Sequence, residues 1–531
     1  MTAINLREFS GMAPLIQPNN LAESLAVSAV NTRFDRTGLV PWNAMHLTHT
    51  GSSGNYLKSL YLYQNSWIIS TNRRQYAKHP SPNDVHDRIY YTDGASYPKM
   101  RSADAEYRIG LPRPEAPVAS LTAAGDISSP VNIRDQTYVV ALVDAFGIEG
   151  PPSLPSNTVE VGLGFTVTLN LVDSTVSGAY NLGVGSYFRL YRTNNTTSGE
   201  AIYQYLGDIA YGSTDFVDTI PASQLEEALQ SANWIAPPDG LASLVVCPGE
   251  FFAGHVGRTV YFSEPGIPSA WPYSYTIDED IVGLVYIQGG LFVCTTGNPT
   301  LFTGSHPSVM AEVPIESFES CVAAASIVDM GEYAIYASPR GLVLAQGNTA
   351  TLITTGLFDS AQWADYAPAD IVAFNYRGKY LACFGDEVGQ VFVFDPSGGT
   401  NSFVRMGISP FTAGYLDTAS GNLSLVVHSS STAYSIQGFD QSSTALTGTW
   451  LSKPFDMNDL EGFSTMRVQA STYPVSITVY ADGENKGTFA IADSKPIRLP
   501  GGYRARFWQF GLSFTGPLIL LSVASSLGEL E

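Results

Sequence analysis

Short apolar runs separated by glycine, proline and asparagine set the rhythm of this chain. The stretch GEYAIYASPRGLVLAQGN (331–348) shows it most plainly: an apolar run, a Pro-Arg-Gly turn, a second apolar run and a Gly-Asn turn. Aromatic and β-branched residues favour strands and Pro-x-Gly breaks them, so the stretch predicts a hairpin. Its first run has counterparts. EFFAG at Phe251, GLFVC at Leu291, EYAIYA at Tyr333, KYLACF at Tyr380 and NLSLVV at Leu423 recur every 40 to 47 residues. Each is followed by a turn and a second apolar run, namely TVYFSE, TLFTG, GLVLA, QVFVFD and TAYSIQ. Two strands per period of this length are the signature of a β-propeller blade, whose sheet is packed on both sides and so tolerates apolar residues on both faces. An earlier copy reads as NSWIIS at Trp67 joined to DRIYY at Ile89 across a long loop, which brings the expected number of blades to about six.

Two segments break the period. A Pro-rich linker, GLPRPEAPVA, precedes QTYVVALVDAFGIEGPPSLPS and SYFRLYRTNN, and WIAPPDGL follows them. Alternating strands with Gly and Pro-Ser turns over this length predict an inserted β-sandwich of the fibronectin type III kind at 112–236. Its one helical signal is PASQLEEALQSAN (221–233), with Leu225, Ala228 and Leu229 on one face. From 445 to 531 the pattern alternates apolar with polar, as in PVSITVYADG and YRARFWQFGLSF, and predicts a separate C-terminal sandwich. At the start, Leu21, Ser24, Leu25 and Ser28 lie at helical spacing behind Asn20 as a cap. The expected organisation is therefore an N-terminal helix and first blade (1–111), the insert (112–236), the remaining blades (237–444) and the C-terminal sandwich (445–531).

Composition agrees with an all-β chain. Of 531 residues, 44% are apolar and only 14% charged, with 49 Gly and 32 Pro, so a large core is joined by many turns. The net charge of −21 argues against wrapping nucleic acid and against docking on an anionic membrane. It does not oppose a surface past which DNA moves without adhering, because like charges repel. MTAINLREFSGMAPL has no apolar core of a secretory signal, and PLILLSVA (517–524) is too short to span a bilayer. A chain made in the cytoplasm, without a membrane-spanning segment, is expected.

Candidate chemistry is sparse. Cys247, Cys294, Cys321 and Cys383 show no Cys-x-x-Cys spacing, and three lie in apolar runs, so buried free thiols are expected. His255 follows Cys247 without further zinc-type ligands and reads as a satisfied structural histidine. Asp278, Glu279 and Asp280 lack the alternating oxygens of a calcium loop. Arg73, Arg74, Lys78 and His79 cluster in the long loop of the first copy and read as a solvated loop, or else as a contact with a partner subunit or with DNA. Arg504 and Arg506 alternate along one strand face, which fits a salt bridge at an edge or between subunits, or stems covering apolar surface. No nucleophile elbow, Walker loop or His-Glu-x-x-His occurs. Neither catalytic residues nor a cofactor or metal site are expected, and the chain reads as a binding or building module.

Several stretches carry a resemblance: GMAPLIQPNNLAESLAVSAVNTRFDRTGLVPW, RTVYFSEPGIPSAWPYSY, DIVGLVYIQGGLFVCTTGNPTLFTGSHPSVM, SCVAAASIVDMGEYAIYASPRGLVLAQG, DSAQWADYAPADIVAFNYRGKYLACFG and LPGGYRARFWQFGLSFTGP with the terminal LGEL. They resemble tail structural proteins of tailed bacteriophages, especially the nozzle proteins of short-tailed phages. The likeness is most specific from Ser263 to Gly341 and leaves out the insert. It departs at Arg340, where an acidic residue is expected, so it implies no partner for that position. It implies a virion tail component assembled in the host cytoplasm. That component is a ring of the chain with itself, a homohexamer below portal and adaptor, docking tail fibres and forming the distal channel for viral DNA. The alternative is a propeller that binds or hydrolyses glycans, which requires carboxylates and aromatic platforms in one funnel.

Overall fold

All five recurrent runs become the same thing: the second strand of a four-stranded antiparallel meander. In a computed structural model describing residues 3–35, 38–103, 105–129, 133–172, 175–195 and 201–530, they are Phe251–Val256, Gly290–Thr295, Ala334–Ser338, Lys379–Cys383 and Asn422–His428. The chain is all-β, and these meanders are β-propeller blades. Among the described residues there are six, spanning 75–108, 242–276, 281–314, 328–352, 372–406 and 413–438. The last has three strands of its own. Its fourth is His46–Ser52, which pairs antiparallel with Ala433–Gly438 from the far end of the sequence. Residues of such strands are buried on both faces, as the unbroken burial of Ala334–Ser338 and Val391–Phe394 shows.

The chain divides into two compact units: Met1–Arg73 with Ile287–Leu301 and Glu312–Glu531, and Arg74–Tyr286 with Phe302–Ala311. The first holds a sandwich that both chain ends build. One of its sheets joins Ala3–Leu6, Gly38–Pro41, Leu518–Ala524 and Thr465–Ala470. The other runs through Ala26–Val30, Gly448–Ser452, Ala505–Phe514, Val475–Ala481 and Glu484–Ile491. Alternation does the sorting: in Val475–Ala481 every second residue is buried, and Trp508, Phe510, Leu512 and Phe514 point into the same core. This second sheet continues into a blade, because Val30 pairs in parallel with Arg405 of Val404–Met406 while Ala26–Val30 runs antiparallel to Gly448–Ser452.

The N-terminal helix is therefore corrected. Pro18–Asn20 forms a single 3-10 turn and Ala26–Val30 is a strand. Leu21 and Leu25 are buried as the spacing required, but Ala26, Ser28, Ala29 and the β-branched Val30 find strand partners in Gly448–Ser452, with the register shifting across Val27, and tertiary pairing outweighs a weak local helical preference. The first copy is corrected too. Trp67 pairs with Leu62 in the hairpin Ser59–Tyr63/Ser66–Ser70, whereas Ile89 pairs with Lys78 and Arg101 in the blade 75–108. The supposed loop thus contains the strand Gln75–Lys78.

The second unit holds the blades 75–108 and 242–276 and the inserted sandwich. The insert has two three-stranded sheets, Val118–Ala123/Thr166–Asn170/Asp215–Asp218 and Tyr138–Val143/Tyr187–Asn195/Ala201–Ala210, with a two-stranded ribbon, Arg134–Gln136/Val159–Val161, beside them. Val167 and Leu169 of the first meet Tyr138, Val140, Leu142, Phe188 and Leu190 of the second in one core. Its expected helix at 221–233 is absent. Ala222–Gln224 and Ser231–Asn233 are 3-10 turns. Between them the backbone is spent on the strand Ala201–Ala210: Glu226 N–H donates to Tyr205 O, Tyr205 N–H to Glu227 O and Leu229 N–H to Tyr203 O. Among the described residues no helix is long and apolar enough to cross a membrane.

Candidate functional site: a polar cleft in the second unit

That extended segment helps to line a cleft of about 610 Å³ within this unit. Strand alternation places Arg189 and Tyr191 on one face of Tyr187–Asn195, and the register sets Tyr205 opposite Tyr191. Glu149 reaches in from the turn after Tyr138–Val143. That turn is fixed because Asp144 accepts the N–H groups of Phe146 and Ile148. Burial is the larger influence on the Asp144 carboxyl and raises its pKa.

Glu149 is 13% exposed and fully engaged. Its Oε2 accepts from Arg189 Nη1 at 3.2 Å and Tyr191 Oη at 2.8 Å, and its Oε1 from Ser231 Oγ at 2.5 Å. Arg189 also bonds Asp208 through Nε at 3.1 Å and Nη2 at 3.3 Å. Burial opposes its charge, but the Asp208 bonds outweigh it and hold its pKa above the usual arginine value. Burial, then the adjacent Glu149 carboxylate, pushes the Tyr191 hydroxyl upward. On the blade side, burial disfavours the Asp84 carboxylate. Bonds from the Arg88 guanidinium and from the Arg88 and His86 N–H groups nevertheless bring its pKa down to about 2. Arg88 is thus neutralised in place. Burial and then the nearby Arg88 charge lower the pKa of His79.

Trp234 closes one wall. Its N–H donates to Ser231 O, and Trp271 N–H donates to Ile235 O, so the wall hangs on two buried anchors. The unspent polar groups lie around it. Ser269 Oγ is buried without a hydrogen-bond partner. The Trp234 indole N–H, the Gln230 amide and the Glu226 and Glu227 carboxylates also lack one among the described residues. No protein-family model matches this chain. No curated protein matches it either. Two solved structures are similar at 10% identity: BamB from Moraxella catarrhalis, covering 75% of this chain and all of that one with a TM-score of 0.27, and the AfRom2 CNH domain, covering 60% and 93% with a TM-score of 0.24. At such scores neither bears on what the cleft does.

The groups singled out in the sequence lie elsewhere, apart from His79. Arg74 lies over the Tyr91 ring at 4.8 Å, and Lys78 is exposed. Burial lowers the pKa of Arg73. All four cysteines are free and buried. His255 is buried and neither ring nitrogen bonds a side chain; burial, opposed by a backbone hydrogen bond at Gly257, lowers its pKa to about 4. Asp280 pairs with Arg258 at 2.8 Å. Arg506 makes a two-pronged bond to Asp456 within the chain, while Arg504 precedes the strand and is exposed. Arg340 finds its partner in the buried Glu319, which Ser338 also bonds. Among the described residues no group of His, Cys, Asp and Glu is arranged to hold a metal. The cleft itself was missed because its residues come from six separated segments, at 79–88, 147–149, 189–191, 205, 226–234 and 266–269. The one local signal was Tyr187, Arg189 and Tyr191 alternating on a strand whose opposite face begins with the buried Phe188 and Leu190.

Proposed function

We propose that this chain is a structural subunit of a phage tail nozzle: a ring of identical copies below portal and adaptor that guides DNA outward and docks fibres. The observation that carries the reading is the continuous sheet that joins a blade to the terminal sandwich through Ala26–Val30. Backbone hydrogen bonds along such a sheet pass load without relying on exposed side-chain contacts, which suits a part that must withstand passage of a stiff polymer. The stretches resembling nozzle proteins fall on this sandwich and on the blades and skip the insert. A net charge of −21 per copy, wherever it faces a channel, repels phosphates and lowers adhesion. A closed ring also buries strand edges that are liabilities on a free subunit.

The test is assembly. The purified chain, alone and with the adaptor of its own virion, is examined by mass photometry and negative-stain microscopy. Rings of one size, with a central opening, are expected. A chain that stays monomeric with the adaptor present, or that hydrolyses polysaccharide, overturns the reading in favour of the glycan-acting propeller.

A further inference from the structure

The second-unit cleft has the makings of a ligand site whether or not the chain forms a nozzle. Its volume falls in the range of roughly 300–1,000 Å³ typical of small-molecule sites. Its charges sort into two groups. Both cations are already taken: Arg88 by Asp84, and Arg189 by Glu149 and Asp208. The unengaged charged groups, Glu226 and Glu227, are both anionic. An anionic ligand would meet no free cation and two carboxylates, so phosphates, sulfates and acidic sugars are disfavoured.

What remains is a mixture of unpaired donors and acceptors beside aromatic planes. The Trp234 indole N–H and the Gln230 amide can donate. The Glu226 and Glu227 carboxylates accept, and Ser269 Oγ, buried without a partner, does either. Trp234 and Tyr205 are both only half-buried and offer ring surface, although the Arg189 guanidinium, 5.5 Å from the Tyr205 ring centre, takes one face of that ring. A ligand that satisfies this set carries many hydroxyls along its edge and a C–H face to lay on an aromatic ring. Those are the properties of a neutral pyranose. A buried polar atom left unpaired is costly, which favours an occupant that bonds Ser269.

We infer that this cleft binds a neutral oligosaccharide, with Trp234 and Tyr205 as platforms and Glu226, Glu227 and Gln230 reading the hydroxyls. The proposal needs no catalysis and stands apart from ring assembly.

The full chain is titrated with maltotriose, cellotriose and chitotriose, with trigalacturonate and spermidine as anionic and cationic counterparts. Binding is followed by calorimetry and by saturation transfer from protein to sugar protons. At least one neutral trisaccharide is expected to bind with a Kd below about 10 mM, with transfer strongest on its ring C–H protons. Trp234→Ala and, separately, Glu227→Gln are each expected to weaken that binding at least about tenfold without moving the melting transition. Glu227→Gln keeps the side-chain shape, so it tests the site even where Trp234→Ala disturbs the fold. Absence of binding by all three neutral sugars overturns the proposal. So does tighter binding of trigalacturonate or spermidine, or binding that survives both substitutions.

Discussion

Replacing Asp218 by Asn in the inserted sandwich leaves a guanidinium in the interior with its charge unmatched. Arg192 and Asp218 are both 0% exposed, and Arg192 Nη1 lies 2.5 Å from Asp218 Oδ2. The carboxylate also accepts from Tyr138 Oη at 2.9 Å and from Ile220 N–H at 2.9 Å, while Arg192 Nη1 donates to Ile220 O at 2.8 Å and its guanidinium lies 5.2 Å from the centre of the Phe165 ring. Arg192 Nε and Nη2 already have no partner, and no second carboxylate bonds the guanidinium among the described residues, so its charge is left uncompensated. Breaking one side of a buried pair costs about 3–5 kcal/mol, whereas replacing both members by apolar residues of similar volume is often neutral or stabilising. The readout is amide hydrogen exchange of the intact chain, followed over Tyr138–Val143 and Tyr187–Asn195. These strands pair along their whole length, so their protection reports opening of the insert. Asp218→Asn is expected to reduce protection by about a hundredfold to several thousandfold. Arg192→Met with Asp218→Leu is expected to restore it to within about tenfold. A single variant losing less than about fivefold, or a double variant as unprotected as the single, refutes the argument that charge imbalance, and not lost packing, governs this core.

Three further outcomes follow from the same structure. His255 has a folded pKa near 4, below its ordinary 6.5. The unfolded chain therefore binds its proton first, and the blade holding it loses about 3 kcal/mol as pH falls from about 6.5 to 4; exchange from Phe251–Val256 across that range checks it, and His255→Leu is expected to flatten the dependence. Gly38 has φ of +117° and a Cβ there would sit 2.3 Å from Leu518 O, so Gly38→Ala is expected to destabilise the terminal sandwich by about 1–3 kcal/mol in urea melts; an unchanged midpoint contradicts the pairing of Leu39 with Leu518. Residues 445–531 expressed alone lack the strand that covers Trp450, whose ring meets Phe9 at 5.2 Å; they are expected to bind hydrophobic dyes and melt without a cooperative transition, and a sharp transition refutes the shared sandwich.

The cleft shows where reading along the chain stops. Trp234 and Glu227 each looked like linker or helix surface. Their roles come from which strand lies alongside, and the strand Ala201–Ala210 holds Glu226–Leu229 mainly through backbone bonds, with the Gln204 amide donating to Glu226 O, which no local side-chain pattern announces. Arg192 is a different case. In YFRLYRT it shares its face with Phe188 and Leu190, so alternation points it inward, and it is Asp218 and Phe165, distant in sequence, that make an interior place for its charge.

By itself the sequence determined the all-β class, the blade period and the presence of an insert, because two-residue alternation and Gly-Pro turns are local properties of a strand and its neighbours. Tertiary structure decided the rest. It made a strand of Ala26–Val30, closed the last blade with His46–Ser52 and built one sandwich from both chain ends. Those outcomes depend on edge strands finding partners hundreds of residues away. The free energy of that pairing comes from hydrogen bonds and apolar burial that exist only once the partner is in place.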